Sequence, residues 1–344
     1  MVLVTIMLAA FLMMKFVERT GTELLAEARA ADRVRLRREA YSALEVTLAM
    51  LADLRAADGA LRSPAQGWGR PLDYADYRPE NGVTVAIEIA DESSKLSLPR
   101  ADAATLQALL VQLGLAQAQA ERISDALLVW TQPDYTPASV AADPGRYARA
   151  MLPHKPAQRP LRAWSELAAI DYARELFFDE HGRATKLERE FRAHVSLFSF
   201  DRINLNTAPP QVLAAAGLDP AQTGALQDRR RSSAPRRAVY FRSLDEAGAV
   251  FGASVTAGKF GTEVKAMGIT VTVRDGRAEY RLYAAVAPPG GAVLAMEPDR
   301  PAAGAGPAAT ETDEIIKKLD YPFKVLEIRE DVEAPAPLPA SPID

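Results

Sequence analysis

Met1 to Met14 are apolar except for Thr5, and charged positions begin at Lys15. Fourteen helical residues rise about 21 Å, short of the roughly 30 Å hydrocarbon core of a bilayer. Phe16 and Val17 extend the reach along the same helix. A cleaved signal peptide fits poorly, because a basic leading stretch is missing and no small-x-small site precedes Lys15. From Lys15 to Asp58 there is no proline, one glycine (Gly21), and eight basic against eight acidic side chains, with Arg35 and Glu39 one turn apart. Tyr41, Leu44, Leu48 and Leu51 recur at helical spacing and form one stripe. The pattern predicts a single helix over residues 1–58, roughly 85 Å long, apolar all round at first and two-faced afterwards.

The pattern then changes period. Residues 59–79 carry the breakers Pro64, Gly67, Gly69, Pro71 and Pro79, with Trp68 as a plug for an apolar edge. Val83 to Ile89 alternates like a half-buried strand, Asp91 to Ser94 turns, and Lys95 to Leu98 is a second extended piece. Two stretches then echo one another. Lys95–Leu98 leads to a helix over 103–113 that stops at Gly114-Leu115, and Arg202–Leu205 leads to one over 210–216 that stops at Gly217-Leu218. A second helix follows in each case, over 117–130 and 220–230. Asn206 and Thr207 sit where N-caps belong, ahead of Pro209 and Pro210.

Residues 133–160 are proline-rich and irregular, and Trp164 to Phe178 reads as a helix whose Ser165–Ile170 part caps it and docks on the first hairpin. A short helix over 242–251 has the capping pair Ser243 and Glu246. Strands follow over 260–264, 268–273 and 278–286, with Asp275-Gly276 as a hairpin turn. Residues 288–307 form a Pro/Gly/Ala linker, 311–319 a short helix and 323–328 a last strand, and a Pro/Ala tail starts at Glu333. The expected class is α+β, with a long helix on one antiparallel sheet and a helical subdomain inserted between its strands. The expected division is helix 1–58, first sheet part 59–100, inserted helical subdomain 101–242, returning strands 243–287, and linker with acidic tail 288–344.

Composition removes most chemistry. The chain has no cysteine and three histidines (His154, His181, His194), which excludes thiolate zinc, cysteine nucleophiles and disulfide scaffolds. No Gly-x-Ser-x-Gly elbow, His-Glu-x-x-His pair or phosphate loop occurs, so no catalytic residue is assigned and the protein is read as a non-enzyme. The acid pairs Asp91-Glu92 and Asp179-Glu180 are turn chemistry. Calcium there has no EF-hand spacing behind it, and no cofactor is expected. Net charge is −4, and the segment from Glu311 to Asp344 alone carries nine acids against four bases, leaving the rest nearly neutral. The run Arg229, Arg230, Arg231, Arg236, Arg237 and Arg242 beside a helical hairpin raises nucleic-acid binding, testable as salt-sensitive binding by a fragment starting near Asp58. Neither hairpin turn has the glycine-rich loop that holds a phosphate, so nucleic acid is not the expected partner.

The order of these elements, with Asp91-Glu-Ser-Ser-Lys95-Leu-Ser-Leu98 and Ile203-Asn-Leu-Asn-Thr-Ala-Pro209, resembles the minor pseudopilin K of bacterial type II secretion over residues 1–287. Two departures stand out. Ser97 replaces the family's usual asparagine, and a leader ending in glycine does not precede Met1, either because the chain is processed or because its start lies upstream. With Met1 as first residue, Thr5 stands where major pilins carry glutamate, a glutamate that minor pseudopilins K lack.

The resemblance implies a subunit at the tip of the pseudopilus that helps initiate its assembly. Met1, Leu3, Thr5, Leu8, Phe11, Leu12 and Phe16 would lie in the membrane and then in the fibre core. Asp91, Glu92, Lys95, Asn204, Asn206 and Thr207 would form the structural motif. It further implies a single inner-membrane pass with a periplasmic head, partners among the I- and J-type minor pseudopilins and other fibre subunits, and no small-molecule substrate. A membrane-anchored nucleic-acid binder and a minor pilin of a type IV pilus, which would usually lack the large insertion, are the alternatives.

Overall fold

The computed structural model describes residues 2–80, 82–138, 145–148, 155–231, 240–252, 258–295 and 322–331. Helix α1 runs without a break from Val2 to Asp58, through Gly21. Its C-terminal half buries Leu36, Ala40, Ala43, Leu44, Thr47, Met50 and Leu51, which recur every three or four residues and so share one face. That face lies on the strands β7 and β8 described below, against Ile269, Val271, Val273, Leu282 and Val286. Burying each large aliphatic side chain contributes about 1.5–3 kcal/mol, so this face is the main hold of the helix on the head. Arg35 reaches Asp275 at the tip of the sheet, and Glu39 accepts from the Tyr77 hydroxyl at 2.7 Å, so neither serves the expected one-turn pair. Trp68 is buried against the same core and its indole donates to the Ser63 carbonyl.

After a one-turn helix α2 (Pro71–Tyr74) comes strand β1 (Thr84–Asp91), then the two-residue β2 (Leu96–Ser97) and helices α3 (Ala103–Gln112) and α4 (Gln117–Thr131). Short helices α5 (Gly145–Ala148) and α6 (Ala173–Phe177) lead to α7 (Lys186–His194) and the short strands β3 (Val195–Ser196), β4 (Phe198–Ser199) and β5 (Ile203–Asn204). Next are α8 (Pro210–Ala215), α9 (Pro220–Arg231), α10 (Leu244–Phe251), β6 (Phe260–Gly261), β7 (Met267–Asp275), β8 (Ala278–Ala287), β9 (Val293–Leu294) and β10 (Lys324–Glu330).

The main sheet is antiparallel in the order β1-β7-β8-β10. Thr84 lies opposite Arg274 and Asp91 opposite Met267, so everything between residues 91 and 267 is inserted between two neighbouring strands. The turn at Asp275-Gly276 joins β7 to β8 with Gly276 at φ 54°, a conformation that favours glycine. The fold is therefore the expected α+β one. One face of the sheet carries α1. The other meets Phe198, Phe200 and Ala292 through Ala285, Ala287 and Leu326.

Inside the insertion the sequence echo is a structural one. The first unit starts on β2, passes through α3 and α4, and returns on β3, which pairs with β2 in parallel. The second starts on β5, passes through α8, α9 and α10, and returns on β6, again in parallel. Gly114 and Gly217 have φ of 96° and 109°, the left-handed geometry that ends a helix. Helices α3 and α8 pack together in one apolar cluster with Leu106, Leu110, Val212 and Leu213.

Several expectations are corrected. Trp164 to Phe178 is not one helix: a 3-10 stretch over Trp164–Ala169 is separated from α6 by Tyr172 at φ 67°, which places Leu167 and Ile170 in the insertion core. The cap of that stretch is Glu166, which accepts from the Arg162 and Ala163 amides, and not Ser165. Residues 260–264 supply only β6, outside the main sheet. Helix α7 had no counterpart in the reading of the pattern, although Thr185 caps it at the Glu188 amide and Phe191 packs on Phe177 with ring centres 5.0 Å apart. A fragment starting near Asp58 would strip the sheet of the α1 face from Leu36 to Leu51, so a soluble head must retain that stretch. The helix expected over 311–319 and the tail from Glu333 lie outside the described residues.

Candidate functional site

Two features of the molecule bear on function: an apolar stalk and the buried joint behind it. On the stalk, Leu3, Phe11, Leu12 and Phe16 are 72%, 57%, 59% and 70% exposed, so in the isolated chain these side chains have no cover. Met1 and the side chains of Thr5 and Leu8 lie outside what is described. Lys15 pairs with Glu18 at 2.8 Å and Arg19 with Glu23 at 2.9 Å, closing the apolar stretch with exposed ion pairs. Among the described residues no helix is long and apolar enough to cross a membrane. The transmembrane expectation for residues 1–58 therefore rests on the short stretch before Lys15 alone.

The joint sits where β1 hands the chain to the insertion. Asp91 is buried, and its carboxylate accepts four hydrogen bonds. Ser93 donates from its amide at 2.8 Å and its hydroxyl at 2.5 Å; Asn204 donates from its amide group at 2.7 Å; the Thr207 hydroxyl donates as well. Burial pushes the Asp91 carboxyl above its usual range, against the pull of the donors on Ser93, Thr207 and Asn204. Asn204 also donates to the Arg62 carbonyl at 2.9 Å and accepts from the Asn206 amide at 3.1 Å. Asn206 donates to the carbonyls of Phe241 and Thr262, both at 2.9 Å, and accepts from the Phe241 amide at 2.7 Å.

The first segment of the second unit thus ties together the end of β1, the loop after α1, the entry to α10 and the exit of β6. This corrects the expected N-cap role of Asn206 and Thr207: the residue before α8 is Pro209, and both polar side chains are turned into the joint. Every hydrogen-bonding group of the Asn206 amide is used, which is what a buried asparagine needs to be stable.

Glu92 pairs with Lys95 at 2.7 Å, half-covered beside the joint, and the Glu92 amide donates to the Ala266 carbonyl at 2.9 Å. Ser97, at the position of the departure noted above, donates to the Phe198 carbonyl at 2.8 Å and ties the start of the first unit to β4, the strand between the units. Sequence reading missed Arg230 as part of this joint. Its guanidinium donates to the carbonyls of Ala208, at 2.7 Å, and Leu205, and burial lowers its pKa to about 10. Arg229 lies over the Phe241 ring, 4.2 Å from its centre. The arginine run therefore spends two of its members inside the fold; Arg236 and Arg237 fall outside the described residues.

His181 is exposed and its amide closes the Asp179 turn, while the His194 ring faces the Glu190 carbonyl at 2.7 Å; His154 lies outside the described residues. Among the described residues no cluster of three or more His, Asp or Glu side chains is placed to hold a metal ion. The chemistry of both features is one of packing and attachment.

Residues 87–178, which run from β1 through α6, match the family described as type II secretion system (T2SS), protein K. A chain of the GspK-GspI-GspJ complex from the type 2 secretion system of enterotoxigenic Escherichia coli is similar in fold, with TM-score 0.57 and 14% identity over 92% of this chain and 100% of that one. No curated protein sequence matches the chain. The family model thus agrees with the resemblance read from the motifs over residues 87–178, and the likeness in fold extends over most of the chain.

Proposed function

We propose that this chain, a minor pseudopilin of the type II secretion protein K family by its residues 87–178, caps the tip of the pseudopilus and helps to initiate its assembly. The observation that carries this reading is the unbroken α1, with exposed apolar side chains at its start, Leu3, Phe11 and Leu12 among them, and a face packed on the sheet from Leu36 onward. Before assembly the apolar end sits in the inner membrane with the head in the periplasm. Within the fibre the same side chains exchange lipid for neighbouring helices, removing their apolar surface from water in both states.

The insertion widens the head at the end of β1 and obstructs further growth. Its partners are then the other minor pseudopilins, of the I and J types named with the similar chain.

The test is co-production of the full chain with I- and J-type subunits in membranes. A three-component complex is expected, lost when Phe11 and Leu12 are both changed to Arg, and fibres made without the chain should be longer. A wild-type chain that stays in the soluble fraction and joins no complex would sink the reading.

A further inference from the structure

The stalk leaves the head at one collar. Leu36 is the first buried residue along the described part of α1. Around it Arg33 pairs with Asp331 at 2.6 Å, Arg35 with Asp275, Arg37 with Glu330, and Arg38 with Glu80 at 3.6 Å. Two of these acids belong to the end of β10. Arg37 donates to both oxygens of Glu330, from Nε at 2.9 and 3.0 Å and from Nη2 at 2.6 Å, and the Tyr41 hydroxyl adds a bond at 2.7 Å. The Asp331 amide donates to the Arg281 carbonyl at 2.7 Å, which fixes the residue just after β10 against β8.

Beyond its antiparallel pairing with β8 and the buried Phe323 just before it, β10 has little apolar hold. It is an edge strand, its register slips between Val325 and Glu327, and Leu326 is its one buried residue. Val325 and Ile328 are 49% and 44% exposed, whereas β7 and β8 are largely buried. Local opening follows the apolar area an element buries, and exposed ion pairs weaken with salt. An edge strand held by one backbone ladder and exposed ion pairs therefore releases before strands held by burial on both sides.

We propose that residues 324–331 are a detachable clasp: closed, the strand fixes the angle at which the stalk leaves the head, and released, it frees that angle while β1, β7 and β8 stay folded. The inference goes beyond the assembly role and does not depend on it, since it concerns only how α1 is tied at Arg33 to Tyr41.

The absence of cysteine makes the test direct. Thr22→Cys on the stalk and Arg277→Cys at the hairpin tip carry a spin-label pair on the full chain in micelles. The distance distribution is expected to be narrow at low salt and about twofold wider with Glu330→Ala and Asp331→Ala together, or at high salt without them. Hydrogen exchange should quicken about tenfold over 324–330, while 84–91 and 267–275 keep their protection. The charge-swapped pair Arg37→Glu with Glu330→Arg should restore the narrow distribution. An unchanged distribution in the Ala variant, or protection lost equally from all four strands, overturns the proposal.

Discussion

The joint at Asp91 and the collar at Arg37 each fasten one part of the molecule to another, by opposite means. At the joint, a buried carboxylate is held by neutral donors from three residues. At the collar, exposed carboxylates are held by guanidinium groups in contact with water. Water reaches the collar far more readily than the joint, where Asp91, Asn204 and Asn206 are buried. Removing one partner should therefore be costly inside and cheap outside, although the outer bonds involve full opposite charges.

The largest effect expected from breaking this contrast is at Asp91. Asp91→Ala leaves the buried donors of Asn204, Thr207 and Ser93 without an acceptor, and should lower unfolding stability by about 3 kcal/mol or more, read by urea denaturation. Asn206→Ala should follow, at about 2–3 kcal/mol, because it orphans the Phe241 amide and two carbonyls in one change. Losses near zero at both sites would remove the claim that the joint holds the units together. Glu330→Ala should be the mildest of the three and should matter less still in high salt.

The pH dependence sharpens the same comparison, because the two carboxyls shift in opposite directions. Glu330 is pulled down to about 2, chiefly by Arg37 and then by Tyr41. Its contribution is present above the ordinary glutamate range and is lost as pH falls through that range toward 2. The Asp91 carboxyl is raised by burial, so its contribution is greatest in acid and declines as pH rises from the ordinary aspartate range through the raised value. Stability measured from pH 3 to 7 should climb less steeply in Glu330→Gln than in the wild type, and more steeply in Asp91→Asn. Identical slopes in all three proteins would show that neither group is linked to folding.

How much of this was legible depended on the range of each signal. The length of α1 follows from residues 15–58 lacking proline, and its buried face from the spacing of Leu44, Leu48 and Leu51. The β7–β8 hairpin was visible in Asp275-Gly276. The helix ends at Gly114 and Gly217 betrayed the repeat because both the glycine and the leucine after it are local requirements. The strands β2, β3, β5 and β6 have two residues each, too few to show a period, and their pairing is between distant segments.

For the same reason Asn204, Asn206 and Thr207 could be recognised as a motif but not assigned their partners. Those partners include the backbone of Arg62, Phe241 and Thr262, and a carbonyl has no sequence signature. Arg230 was hidden differently: within a run of arginines nothing local marks which ones turn inward.

The placement of the insertion sets an order of events for the newly made chain. Asp91 and Met267 must meet across 175 intervening residues before β1 can zip onto β7. A random loop of that length closes rarely, whereas α3 with α4 and α8 with α9 are hairpins of short range that can collapse at once. The helical half is thus expected to condense first and shorten the gap. Only then does the sheet close over it, with α1 waiting for a surface on which to lie.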